Sequence, residues 1–402
     1  MTNRERENAT LSFGVDMDRG SIEETFYPWT LTYDRWNGEG HLQGLPENIF
    51  DDTKGRASKA ERYLNTQMAE GVHAYERFLG FDGVKRMGMM LPFHGLDGIV
   101  LEEGPSFTLK LDPDCRVRKY EKGSGAVLEE TNAVTLMEYW EAMKTRTRRE
   151  IDECFTDENI RKIYGGFAEG HERGEYSIRF NIEGFFWLPR GLYGIEEHLY
   201  AFYEYPEIMH EINEFVLEVF IERLDMIFDV IKPDVVYILE DLSGKTGPMI
   251  SPSMFDEFVG AYYRRLIPFM KSKGVGNVFV DTDGDFTMLI PNFLKSGVDG
   301  FLPLDVNAGV DIVDIRRKFP KLKLIGGFNK LEIAKGPAAI DREFERLMPV
   351  IRQGGYIVGC DHQVAPSTSF EDYKYYIGRL KEAMEQAGKS TSMGQKSQTP
   401  VF

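Results

Sequence analysis

The sequence predicts an α/β fold, a (β/α)8 TIM barrel with an N-terminal extension and a β-hairpin insertion. Three observations carry that expectation. From residue 206 onward, short apolar runs of strand length alternate with longer segments of helical period, which implies a parallel sheet covered by helices. The polar residues Glu240, Asp281, Asp305, Asn329 and His362 all fall just after such runs, where the βα loops of a barrel build its catalytic face. No GxGxxG fingerprint or P-loop follows any of the runs, which disfavours a doubly wound dinucleotide fold.

Taken in order, residues 58–81 read as a helix. Residues 107–120 read as a β-hairpin about Asp112-Pro113-Asp114, an insertion spanning about 105–121. Residues 206–230 open with proline at a first helical turn and place Ile208, Ile212, Phe215, Val219, Leu224 and Ile227 on one face. Strands are expected at 235–239, 278–280, 300–304, 323–325 and 356–358. Helices are expected at 251–273, 286–296, from 311, from 341 and at 370–386. One barrel domain therefore spans residues 1–387, and the Ser, Thr, Gln and Lys-rich tail 388–402, without periodicity, is expected to be disordered.

The chain has 402 residues, 42% of them hydrophobic, enough to bury one large core. A formal net charge of −17 argues against nucleic acid or an anionic membrane as partner. Cys115, Cys154 and Cys360 form no CxxC motif, the N-terminus is polar, and no apolar run is long enough to cross a bilayer. The expectation is a cytoplasmic protein without a membrane segment.

The stretch Asn277-Val-Phe-Val-Asp-Thr-Asp-Gly-Asp285 carries the most chemistry. On a strand, residues two apart share a face, so Asp281 and Asp283 aim at one centre, and Gly284 lets the chain turn directly afterwards. Two such carboxylates call for a cation, a shared proton or a substrate between them. The competing reading is a turn that caps the following helix. An EF-hand is excluded, because its further acidic positions and downstream bidentate Glu are absent.

Four segments resemble the uroporphyrinogen decarboxylase superfamily, including its corrinoid-dependent methyltransferase branch: Asn181-Ile-Glu-Gly-Phe-Phe-Trp-Leu-Pro-Arg190, Ile250-Ser-Pro-Ser-Met-Phe-Asp-Glu-Phe258, Ile325-Gly-Gly-Phe-Asn-Lys330 and Gly354-Gly-Tyr-Ile-Val-Gly-Cys-Asp-His-Gln-Val-Ala-Pro366. The resemblance implies a (β/α)8 barrel. The decarboxylase uses an arginine-rich N-terminal motif for substrate carboxylates, whereas residues 26–36 here hold only Arg35 in that role. The methyltransferases hold zinc with His-x-Cys and a later Cys, and in register with these the chain carries Asp281, Asp283 and His362. The resemblance thus implies a divalent metal at Asp281, Asp283 and His362, zinc first, with manganese or iron also accommodated by this harder donor set.

The leading expectation is a metal-dependent methyltransferase that moves a methyl group from a small substrate to a corrinoid protein. A cofactor-free decarboxylase of a tetrapyrrole and a non-catalytic corrinoid- or tetrapyrrole-binding protein are the alternatives. Catalytic candidates are Asp281, Asp283, Glu240 and His362; substrate-binding candidates are Arg35, Asp34, Trp36, Asp241 and Asn329. His362 also reads as a loop histidine held by Asp361 or as a substrate hydrogen-bond donor, and Cys360 as simple packing. The aromatic segment 26–36 is expected near the catalytic mouth. A homodimer is compatible with the sequence.

Overall fold

Seven strands pair side by side because each is bounded by turn residues and connected by a segment long enough to cross over. We number them β1 (Val84–Met89), β2 (Ser177–Glu183), β3 (Val235–Leu239), β4 (Asn277–Asp281), β5 (Gly300–Leu302), β6 (Lys323–Phe328) and β7 (Tyr356–Cys360). The computed structural model describes residues 1–14, 17–47, 49, 58–65, 70–93, 99–111, 117–124, 126–129 and 133–390. In it all seven strands run parallel in chain order, a curled sheet of the (β/α)8 TIM-barrel type.

Alternation along the strands sorts the side chains into two cores. Val235, Tyr237, Phe279, Leu302, Ile325 and Ile357 form an inner cluster with Leu11 of the N-terminal helix Asn3–Leu11. Their neighbours Val236, Ile238, Val278, Val280, Leu324 and Val358 face outward into the larger core beneath the surrounding helices. The N-terminal helix closes the end of the barrel opposite the βα loops. Arg4 and Asn8 both donate to Asp234 Oδ1 at 2.9 Å, just ahead of β3.

The seam between β7 and β1 is bridged by residues 21–25. Asp82 N donates to the Ile22 carbonyl at 2.7 Å, and Cys360 N donates to Glu24 Oε1 at 2.6 Å. Above it, Leu64–Asn65 pairs antiparallel with Met89 and Gly88. That pairing breaks the helix expected over residues 58–81 into Lys59–Tyr63 and Glu70–Leu79, because the open edge of β1 offers hydrogen bonds that a continuing helix would leave unmade.

The insertion is larger than one hairpin. Phe107–Leu111 and Val117–Glu121 pair as expected, but Ile99–Glu103 and Val127–Glu129 extend them into a four-stranded antiparallel sheet. The Asp112-Pro113-Asp114 turn, His94 and Cys115 lie outside the described residues. The final helix, Phe370–Ser390, runs past the expected end at 386, and residues 391–402 of the expected tail also lie outside. No helix among the described residues is long and apolar enough to cross a membrane.

Buried ion pairs tie the N-terminal segment to the barrel. Arg179 on β2 meets Glu7 at 2.9 Å and also Glu23, while Arg86 on β1 meets Glu76 at 2.9 Å. Burial opposes the charge of Asp234, but donation from His171, Asn8, Arg4 and the Ile178 amide outweighs it and holds Asp234 at about 2. A depressed carboxyl contributes stability above its unfolded value, near 4, and that contribution is lost as pH falls toward 2. Thermal melts are therefore expected to show falling Tm between about pH 4 and 2, with a shallower fall in Asp234→Asn. An equally steep fall in that variant would remove Asp234 from the explanation.

Candidate active site

The inward parity of β4 delivers the first site residue. Asp281 lies two positions after Phe279 of the inner cluster, so its carboxylate turns into the barrel mouth, half-buried. The carboxylate makes no hydrogen bond or ion pair among the described residues. Burial, then the charges of Asp241 and Asp283, push it up to about 8, against the opposing pull of His362.

Around it a chain of contacts fixes the mouth. Arg190 donates to the Asp241 carbonyl at 2.8 Å and lies over the Trp187 ring. Asp241, at a positive φ of 39°, accepts the Asp283 amide on Oδ1 at 3.1 Å. Asp283 Oδ1 meets His362 Nε2 at 3.0 Å. Burial disfavours the imidazolium, but the hydrogen bond and charge of Asp283 outweigh it, leaving His362 above its ordinary value. Phe26 stacks on the imidazole with ring centroids 5.8 Å apart and planes 8° from parallel.

Asp281, Asp283 and His362 share the mouth, yet they are not the tightest donor set. Among the described residues, the three metal-ligating side chains whose ligand atoms lie within 4.8 Å of one another are Asp305, Asp361 and His362. Asp361 is fully buried and oriented: Oδ1 accepts the Lys330 amide at 3.1 Å and Oδ2 accepts Asn307 Nδ2 at 3.0 Å. Each oxygen keeps a further lone pair, so the pocket suits a divalent ion with oxygen and imidazole donors. The sequence signal for Asp361 was its parity with Ile357, four residues earlier on an inward position.

The same parity takes Glu240 elsewhere. It stands three residues after inward-facing Tyr237 and therefore points out of the barrel, fully buried. Its oxygens accept the amides of Phe185 (3.1 Å), Phe186 (2.8 Å) and Trp187 (3.1 Å) and the Tyr263 hydroxyl (2.6 Å). Glu240 thus anchors the turn into the helix Trp187–Tyr193 rather than facing a ligand.

The N-terminal aromatic segment reaches the mouth, but its candidate substrate residues do not turn toward it. Arg35 donates to the carbonyls of Pro366 and Thr368, and Trp36 is fully buried against Phe370 and Tyr373 while donating to Thr368. Asp34 is exposed. Asn329 caps the short helix Lys330–Ile333, accepting the Leu331 amide at 3.1 Å. Cys360 faces the outer core beside Glu24, where burial pushes its thiol up.

Residues 185–383, about half of the chain, match the family model described as uroporphyrinogen decarboxylase (URO-D). Among solved structures, a methyltransferase from Methanosarcina mazei superposes with a TM-score of 0.57 at 14% identity, covering 95% of this chain and 99% of that one. A B12-independent methionine synthase from Shewanella sp. W3-18-1, in complex with selenomethionine, gives a TM-score of 0.39 at 10% identity over 79% of this chain and 85% of its own. Among curated protein sequences none matches. The family match, over a barrel of the same architecture with its polar residues gathered at the C-terminal ends of the strands, makes this chain a member of the uroporphyrinogen decarboxylase superfamily.

Proposed function

We propose that the chain is a methyltransferase that removes a methyl group from a heteroatom of a small substrate and passes it to a corrinoid protein. The observation that carries this reading is the convergence of Asp305, Asp361 and His362 beside the unpartnered carboxyl of Asp281. A divalent ion, zinc first and manganese or iron(II) as alternatives, would be held by those three residues and would supply Lewis acidity to the departing heteroatom.

The chain's own groups do the rest. Asp283 orients His362 by accepting a hydrogen bond from Nε2–H on Oδ1, a carboxylate partner of the kind that fixes metal-bound imidazoles. Phe26 holds the ring from its other face. Asp281, protonated through neutral pH, gives its proton to the heteroatom as the bond to the methyl carbon breaks and the electron pair stays behind. The methyl carbon would pass to the reduced corrinoid of the partner protein, whose own electron pair would make the new bond.

Protein purified without chelator is expected to carry about one divalent ion per chain. His362→Ala and Asp361→Asn should lose it, while Asp281→Asn should keep it, all read by elemental analysis. Metal-free wild type after incubation with zinc, manganese and iron(II) would sink the metal. The second reading, a cofactor-free decarboxylase, rests on Asp281 alone, whose carboxyl at about 8 suffices as an acid without any ion.

A further inference from the structure

On the β2 side of the mouth, away from His362, three oxygen atoms have no partner. Glu183 is only 8% exposed, and its Oε2 accepts nothing; Asn181 Oδ1 and the Tyr237 hydroxyl are likewise buried and unpaired. They belong together. Asn181 and Glu183 are two apart on β2 and share its inner face, since Ile178, Phe180 and Ile182, at the alternate positions, pack outward. Tyr237 is the register partner of Asn181 on β3 and lies in the inner cluster. On the other side Asn181 pairs with Gly88, where an added Cβ would come within 3.1 Å of the Asn181 Cβ, so the wall beside it is bare backbone.

A carboxylate oxygen left unpaired this deep is costly, and the Asn181 amide oxygen on the same inner face adds a second acceptor without a donor, with the Tyr237 hydroxyl, which can accept or donate, beside Asn181 on the next strand. The cations below do not serve it: Arg179 is held by Glu7 and Glu23, and Arg86 by Glu76. Three oxygens fall short of the six to eight that calcium takes and include none of the nitrogen or sulfur donors that zinc prefers. A primary ammonium has three N–H donors and one positive charge, which matches the set atom for atom.

We propose that Glu183, Asn181 and Tyr237 form a subsite for the primary ammonium group of the substrate. The register Glu183, Leu239, Asp281 across β2, β3 and β4 sets Glu183 and Asp281 two strand spacings apart, about 10 Å between Cα atoms. The substrate is then a short amine, with its ammonium at Glu183 and its methyl-bearing heteroatom near Asp281. This rests on the methyltransferase reading for the second half and on the three unpaired oxygens for the first.

The test is calorimetric titration of wild type with 2-methoxyethylamine and its uncharged counterpart 2-methoxyethanol, with methylammonium as the minimal cation. The amine should bind at least ten-fold more tightly than the alcohol. Glu183→Gln and, independently, Asn181→Leu should each erase at least ten-fold of that preference. Circular-dichroism melts confirm folding of each variant. Equal binding of amine and alcohol, or no binding of either amine by folded wild type, overturns the subsite. Amine binding without methyl transfer to a corrinoid acceptor would sink the methyltransferase reading and leave the subsite standing; transfer from 2-methoxyethanol with no preference for the amine would do the reverse.

Discussion

Glu240→Ala is expected to lower the stability of the folded chain by roughly 3–5 kcal/mol, among the largest effects of any single substitution here. The change strips the partner from three backbone amides and the Tyr263 hydroxyl at once, in a place that water does not reach. Each buried donor left unpaired costs about 1–3 kcal/mol, and the turn after β2 relaxes to recover part of the sum. Glu240→Gln should lose less, because one oxygen still accepts while the amide nitrogen opposes the remaining donors. Denaturant melts read both. A variant with wild-type stability and no activity would instead return Glu240 to the chemistry.

Asp281→Asn is expected to slow methyl transfer by about 10²–10⁴-fold, the usual worth of a positioned general acid. Asn keeps the shape and loses the proton. In wild type, burial and the charges of Asp241 and Asp283 keep that proton on the carboxyl up to about pH 8, so the rate should fall as pH rises through that value. The fall should vanish in the variant while its bound metal is retained. A variant with an unchanged pH profile would move the acid role to another group.

Much of the barrel was legible because its later strands are short apolar runs with helices between them. Strands β3 to β7 are read from that rhythm, and Asp281 from the alternation within β4. Strands β1 and β2 escaped because their inward positions are charged or polar: Arg86 and Arg179 sit where apolar residues mark a strand, and they are tolerated only because Glu76 on the preceding helix meets Arg86 and Glu7 and Glu23 meet Arg179 from a distant segment. The same distance hid the difference between Glu240 and Asp281. Both follow apolar runs, but one residue of offset against the inner face sends Glu240 into the outer core and Asp281 into the mouth. The place of Arg35 depends on the carbonyls of Pro366 and Thr368, a meeting that no local pattern announces.

The seam has a consequence for how the chain is made. Its bridging segment, residues 21–25, leaves the ribosome before any strand of the sheet, yet its partners on one side belong to the strand made last: Glu24 meets the Cys360 amide across 336 positions. Loop closure over such a span is slow, and strands that precede it expose unpaired edges while they wait. Synthesis must therefore nearly finish before the β7 side of the seam closes, and a chain cut short ahead of β7 leaves Glu24 without the Cys360 amide and Phe26 without the His362 ring.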